Sequence, residues 1–259
     1  MCRLLGIVSR DRSEFRRCLR EAPRSLHALG HEHHDGWGIA VHEATSGWTI
    51  TKRPKAASED PTFDEAASTA SGLFLVAHVR KRTVGSVSQD NTHPFRRGRW
   101  VFAHNGTIER IGDLRATLDE VSQAAVRGDT DSEVLFAFLL SRLASHPGTQ
   151  GSRFVTDMVL ARAIEELSSI PSLGATTFLL SDGAALYAHC QGRPLFLLER
   201  RADSRIEAIL VASEQVTPDE PWTSISEGTS LVVWRSPRLG WAAMRGGGAA
   251  VHRTQERRA

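Results

Sequence analysis

Five apolar or small residues, Leu4-Leu5-Gly6-Ile7-Val8, form the first run of the chain and are closed by Ser9 and Arg10. The run predicts a buried strand over about 3–9. Phe15, Leu19, Leu26 and Leu29 then recur at helical spacing, so a helix is expected over 13–29, weakened by Pro23 and ended by Gly30. A polar loop over 31–38 follows. Residues 39–42 and 48–52 read as two strands joined at Thr45-Ser46-Gly47, a hairpin. A linker-like loop over 54–61 leads into a short helix over 63–70.

Residues 73–79 are continuously apolar and predict a strand with Arg80 at its end. Residues 81–99 read as a long loop, a feature that in a small domain is usually functional or disordered. A strand over 100–103 and a helix over 112–118 come next. The strongest helical signal begins at Thr130-Asp131-Ser132-Glu133, where Val134, Leu135, Phe138, Leu139 and Leu143 line one face. Thr130 and Glu133 have the spacing of a capping box. A second long helix over 152–169 ends before Pro171. Strands are then expected over 176–180, 185–190, 195–199, 206–212, 229–234 and 241–244, with a hairpin turn at Asp182-Gly183. The Gly-rich, then basic, segment 246–259 is expected to fray.

Strands in runs, with two long helices between them, lack the alternation that a parallel sheet requires. The pattern fits an α+β arrangement of two antiparallel sheets with helices packed outside. The chain has 259 residues, long for one domain and short for two full ones. No boundary for a second domain is visible, so a single domain over 2–245 is expected. The formal net charge of +2 supplies no basic field, and no nucleic-acid partner is expected. The three cysteines, Cys2, Cys18 and Cys190, are too few and uneven for a disulfide framework, which points to a reducing, cytoplasmic setting. The run after Arg3 is too short for a signal peptide, and no apolar stretch approaches the roughly 20 residues of a membrane span.

Chemistry enters at Cys2. Trimming of Met1 would leave this residue with a thiol and an α-amine on one carbon. An α-amine has a reference pKa of roughly 7.7–8.0, so it can take and return a proton beside the thiol, a pairing that activates a weak nucleophile. Arg80, at a strand end, can present a planar fork to a carboxylate. His104-Asn105-Gly106 reads either as a hairpin turn or as two donors, the Asn105 amide and the Gly106 N–H, aimed at a developing oxyanion. Asp131 suits either the helix dipole or a substrate ammonium. Cys18 and Cys190 sit in no motif and read as structural.

The order Cys2, Asp35-Gly36-Trp37-Gly38, His78-Val79-Arg80 with Thr83 and Gly85, Thr92-His93-Pro94-Phe95, His104-Asn105-Gly106 and Thr130-Asp131-Ser132-Glu133 resembles the class II glutamine amidotransferase family. The resemblance implies an N-terminal-nucleophile hydrolase fold, a four-layer αββα sandwich. It implies Cys2 as nucleophile with its α-amine as base, Asn105 and Gly106 as the oxyanion hole, Arg80 for the α-carboxylate of glutamine, Thr83 beside it and Asp131 for the α-ammonium. Two departures stand out. The synthase members carry an aromatic residue after the pocket arginine where this chain has Lys81, and their Arg-Gly-x-Asp loop is here Glu32-His33-His34-Asp35. That loop, with Asp35-Gly36-Trp37-Gly38 and Thr92-His93-Pro94, resembles the stand-alone branch of the family more closely.

The activity so implied is hydrolysis of a γ-glutamyl amide, glutamine to glutamate and ammonia, through a Cys2 thioester. No cofactor and no membrane are expected, and with no room for an acceptor domain any ammonia acceptor would be a separate protein. The alternative is a hydrolase of γ-glutamyl peptides or γ-glutamyl thiol compounds with no ammonia transfer. Two other classes are a metal-dependent hydrolase built on His31, His33, His34 and Asp35, and a non-catalytic γ-glutamyl-binding protein. The histidine loop lacks a helical i,i+4 pair and a Cys-x-x-Cys to complete a site, so no metal is expected; the intact Cys2 argues against a binder.

Overall fold

The computed structural model describes residues 2–244 and 251–252. In chain order its elements are β1 (Arg3–Glu14), α1 (Leu26–Leu29), β2 (Gly36–Glu43), β3 (Gly47–Arg53), α2 (Pro61–Thr69), β4 (Ser71–Arg80), β5 (Phe95–Arg97) and β6 (Trp100–Asn105). Then come α3 (Ile111–Ala116), α4 (Glu120–Ala124), α5 (Asp131–Ala144), α6 (Arg153–Ser168), β7 (Thr177–Ser181), β8 (Ala185–Cys190), β9 (Leu195–Ala202) and β10 (Arg205–Ala212). The remaining strands are β11 (Thr223–Ile225), β12 (Thr229–Trp234), β13 (Gly240–Met244) and β14 (Val251–His252).

The strands form two seven-stranded sheets, ordered β11-β9-β10-β1-β4-β2-β3 and β14-β13-β12-β8-β7-β6-β5. Every pairing is antiparallel. Alternation along each strand sorts side chains between two environments. From β1 and β4, Leu5, Ile7, Leu75 and Ala77 turn outward onto Leu19, Leu26 and Phe63. Leu4, Val8, Phe74 and Val76 turn inward and meet Val101, Ala103, Leu179 and Leu186 of the other sheet. On that sheet's far face Phe102, Phe178 and Tyr187 pack against Leu135, Phe138 and Leu160 of α5 and α6. Three apolar interfaces between four layers make the αββα sandwich that the resemblance implied. Gly6 sets the sheet spacing, since a Cβ there would lie 2.7 Å from a Leu186 methyl.

Local chemistry explains the helix starts. Thr130 accepts the Glu133 N–H, Asp60 accepts the Thr62 N–H and Ser152 accepts the Val155 N–H, each satisfying an otherwise orphaned donor. Glu133 does not close the expected capping box. Its carboxylate instead accepts the N–H groups of Arg127 (3.0 Å) and Gly128 (2.6 Å) and pairs with Arg97 (3.1 Å).

Three expectations are corrected. The helix expected over 13–29 is replaced by a longer β1, a single π turn over Arg17–Glu21 and the short α1. Phe15, Leu19, Leu26 and Leu29 are buried as expected, but Ser13 and Glu14 pair with Gly72 and Ser71 across an irregularity in the ladder, which keeps the chain extended. The loop expected over 81–99 ends early, because Phe95–Arg97 pairs with Trp100–Phe102 as an edge strand. The strand expected over 100–103 runs on through His104 and Asn105, whose partners are Phe178 and Thr177. No strand follows directly for a turn at Asn105-Gly106 to join. β11 was not anticipated. Of the segment 246–259, Val251–His252 pairs with β13; its other residues lie outside the described ones.

Several histidines are sealed inside this frame. His33, His78 and His93 are buried, and the rings of His78 and His93 lie 4.4 Å apart. Burial, ahead of neighbouring positive charges, pushes His33 down to about 4 and His78 to about 3. His189, bonded to the Ser230 hydroxyl at 2.9 Å, is pushed down to about 4 by burial alone.

Two outcomes follow from packing and burial. Phe102→Ala, which empties a site between the second sheet and Phe136 on α5 (ring centroids 5.1 Å apart), should cost about 3–5 kcal/mol in urea unfolding, whereas Phe154→Ala, 61% exposed, should stay within about 0.5 kcal/mol of the parent. The buried imidazoles are held below their unfolded value near 6.5, so the unfolded chain binds more protons between that value and about 4. Stability should therefore fall as pH drops through this window, read as a lower urea midpoint at pH 5 than at pH 7; an unchanged midpoint would count against buried neutral histidines.

Candidate active site

Strand parity decides where the chemistry collects. Cys2 shares the parity of the inward-facing Leu4 and Val8, Arg80 that of Phe74 and Val76, and Asn105 that of Val101 and Ala103. The register Arg3↔Val79 sets Cys2 beside Arg80. The start of β1, the end of β4 and the end of β6 thus bring these residues to one end of the space between the sheets.

The N-terminal strand is tied down on both sides. The Leu4 N–H donates to Ser213 Oγ at 2.8 Å, and the Ser213 N–H returns to the Leu4 carbonyl at 3.1 Å. Arg3 pairs with Glu214 at 2.9 Å, Arg24 holds the other Glu214 oxygen at 2.7 Å, and Arg3 also donates to the Cys2 carbonyl at 3.1 Å. The Cys2 thiol donates to the Lys81 carbonyl at 3.4 Å. Burial pushes this thiol above its usual value; the positive charges of the N-terminus and Arg80 pull it down, and Asp131 pushes it up. The thiol therefore lies in the field of the N-terminal ammonium and Arg80 on the positive side and of Asp131 on the negative.

Arg80 is buried, and its guanidinium donates to the carbonyls of Ser86 (2.9 Å) and Val84 (2.8 Å). Two of its five N–H donors are thereby used to aim the fork. Among the described residues no carboxylate lies within ion-pairing distance of it, although Cys2, Asp35 and Asp129 act on it at longer range; burial lowers its pKa. Asp131, the first residue of α5, is also buried. One of its oxygens accepts the Ile108 N–H at 2.6 Å and the other accepts the Ser132 N–H at 2.9 Å. It too has no cation within ion-pairing distance among the described residues.

Asn105 is buried at the end of β6, and no hydrogen bond from its side-chain amide is formed with the described residues. A side chain at Gly106 would collide with the Ala175 carbonyl, so the backbone approaches the segment before β7 more closely there than any other residue would allow. The Ala175 N–H donates to the Thr107 carbonyl at 3.1 Å. By the alternation of an antiparallel ladder, the Gly106 N–H turns away from β7. Thr83 is exposed, and its hydroxyl accepts from Thr107 at 3.2 Å, linking the segment after Arg80 to the segment after Gly106.

The histidine loop behaves differently. His31 stacks edge-on against His27 with centroids 6.1 Å apart, His33 is buried and His34 is exposed. The three imidazoles do not converge, and no group of three side chains placed to hold a metal occurs among the described residues. Asp35 is the member that reaches the site: its N–H donates to the Arg80 carbonyl at 3.0 Å and its carboxylate accepts the Arg82 N–H at 2.8 Å.

Some supporting residues carried no warning in sequence. Asn91 bonds Ser86 at 3.0 Å and the Asp129 carboxylate, and accepts the Asp129 N–H at 3.1 Å, binding the loop after Arg80 to the start of α5. Ser213 and Glu214 lie more than 200 residues from the strand they anchor. Their only sequence signal is the end of an apolar run at Ala212.

Comparison with known proteins agrees with this geometry. A family model described as class II glutamine amidotransferases matches residues 1–205. The Escherichia coli (strain K12) protein named "Putative glutamine amidotransferase YafJ" is 32% identical over 206 residues, covering 75% of this chain and 77% of its own. The gamma-glutamyl-hercynylcysteine sulfoxide hydrolase of Mycolicibacterium smegmatis is 24% identical over 194 residues, 74% of each chain. Glutamine phosphoribosylpyrophosphate amidotransferase from B. subtilis superposes with a TM-score of 0.68 at 20% identity, over 93% of this chain and 49% of that one, which shows a shared fold. The matched residues span every element that builds the site except the Ser213–Glu214 anchor, and the chain belongs to the class II glutamine amidotransferases.

Proposed function

We propose that the protein hydrolyses γ-glutamyl amides through a thioester on Cys2, with glutamine as the smallest substrate. One observation carries the reading: a buried arginine with no carboxylate, and a buried aspartate with no cation, in ion-pairing distance among the described residues flank the strand end that carries Cys2. A lone buried charge is costly. A free α-amino acid end supplies both missing partners at once, its carboxylate for Arg80 and its ammonium for Asp131. Thr83, three residues after Arg80, is the neighbour that the family resemblance sets beside the α-carboxylate.

With the two charged ends held, the side-chain amide carbon faces Cys2. After removal of Met1 the α-amine takes the thiol proton as sulfur attacks. The carbonyl oxygen becomes negative and is received by the Asn105 amide and the Gly106 N–H, donors held in place before reaction and so costing no reorganisation. The amine returns the proton to the leaving nitrogen, the C–N bond breaks, and a γ-glutamyl thioester remains. Water then attacks the thioester, glutamate leaves, and the thiol is restored.

A second reading, in which the leaving group is larger than ammonia, is supported by two observations. Lys81 stands where the synthase members carry an aromatic residue, and one relative is named as a hydrolase of a γ-glutamyl conjugate.

Cys2→Ala should abolish turnover while glutamine still binds, measured by calorimetry beside an ammonia-release assay; full activity in this variant would end the proposal. Asn105→Ala should lower kcat by roughly a hundredfold or more with little change in KM. Removing half of a buried charge pair costs roughly 3–5 kcal/mol, so Arg80→Gln should reduce kcat/KM at least about a hundredfold and lose discrimination against substrates without an α-carboxylate. Because burial holds the free thiol up, iodoacetamide labelling of Cys2 should keep rising beyond pH 9; a rate already flat at pH 7 would contradict it.

A further inference from the structure

Directly after the pocket arginine the chain carries two more cations. Lys81 and Arg82 are exposed, and neither forms an ion pair with a described residue. Their backbone is fixed at the nucleophile: the Lys81 carbonyl is the Cys2 thiol's acceptor, and the Arg82 N–H is held by Asp35. The two side chains therefore start within a residue of the place where a leaving group departs.

The neighbouring carboxylates do not neutralise them. Asp35 is taken by the Arg82 N–H and lies 3.9 Å from His34. Glu214 is shared by Arg3 and Arg24. Asp129 is held by the Ser86 N–H and Asn91, and Asp131 by Ile108 and Ser132. Glu32, exposed on the loop before Asp35, forms no ion pair with either cation.

Resting on the γ-glutamyl hydrolase reading above, we propose that the preferred substrate is a γ-glutamyl amide whose leaving amine carries a carboxylate, with Lys81 and Arg82 as the residues that recognise it. Such a substrate has three charges. The α-carboxylate and α-ammonium meet Arg80 and Asp131, and the third, on the far side of the scissile bond, meets the cations at the mouth. Ammonia leaving from glutamine is too small to reach them. Hydrolysis consumes one water, breaks the γ-amide C–N bond, and releases glutamate and an amino acid or peptide that takes up the proton as its amine. The reaction that supplies this substrate must be one that joins glutamate through its γ-carboxyl to an amino acid or peptide.

The test compares kcat/KM for γ-glutamylglycine, γ-glutamylglycinamide and glutamine in the parent protein and in the Lys81→Gln/Arg82→Gln protein. The ratio of the first two within one protein cancels any general loss of activity. In the parent, γ-glutamylglycine should be favoured about tenfold over the glycinamide, the upper size expected of one carboxylate meeting two exposed cations, and the ratio should shrink as salt is raised. In the double variant it should approach one, and in Lys81→Glu/Arg82→Glu it should invert. A parent ratio near one, or a ratio that survives the double substitution, overturns the inference while leaving γ-glutamyl hydrolysis standing. No turnover of any of the three substrates, with Cys2 unlabelled by a γ-glutamyl electrophile, overturns both.

Discussion

Between Arg3↔Val79 and Val8↔Phe74, β1 and β4 run as an uninterrupted antiparallel ladder, and the site hangs on its register. A slip of one residue would turn Cys2 or Arg80 onto the helix-covered face of the sheet. Apolar patterning alone cannot prevent this, because Leu4 and Val8 are buried on one side and Leu5 and Ile7 on the other. Gly6 can: it alone fits against Leu186 and Leu179 where the sheets come closest, and a slip would push Leu5 or Ile7 into that contact. Ser213 then adds a second lock by exchanging hydrogen bonds with both backbone groups of Leu4. The precision of the charged site is thus inherited from apolar packing several residues away.

Much of this was legible in the sequence for an identifiable reason. Runs such as 73–79 and 185–190 are apolar but for one histidine each because both faces of their strands are covered, and they were recognisable without any partner. The start of α5 was legible because Thr130 caps it through a purely local bond. Where a segment's state depends on a distant neighbour, local reading failed. Residues 13–14 look helical beside Phe15 and Leu19, yet Gly72 and Ser71 hold them extended. His104 and Asn105 look like a turn, yet β7, about seventy residues later, makes them strand. The candidate site residues were found from motif order. Their supports, Asn91, Ser213 and Glu214, were not, since each is polar, common and distant from what it holds.

Leaving Arg80 and Asp131 without ionic partners costs stability, and the fold limits that cost with neutral ones. Backbone carbonyls of Val84 and Ser86 receive the guanidinium, and the N–H groups of Ile108 and Ser132 meet the carboxylate. Neutral dipoles orient a charge without cancelling it, so attraction for an incoming ion survives. Had the two residues paired with each other, each would be more stable and neither would retain its reach. The arrangement keeps two buried, opposite charges apart, where their fields are less screened than at the surface.

These two charges are also mechanically connected. The Ser86 carbonyl that aims Arg80 is gripped by the Asn91 amide, which also bonds the Asp129 carboxylate and accepts the Asp129 N–H. Asp129 lies two residues before Asp131, and the turn between is fixed by Thr130 capping α5 and by Glu133 holding the backbone of Arg127 and Gly128. A displacement of the loop after Arg80 is therefore transmitted to the helix start that carries Asp131, and the reverse. Such a path lets the distance between the two charges be set once, by one polar network, instead of separately by two loops. The same hydrogen bonds account for several of the polar side chains buried at this end of the sandwich, and they tie together two strands and a helix that never meet in sequence.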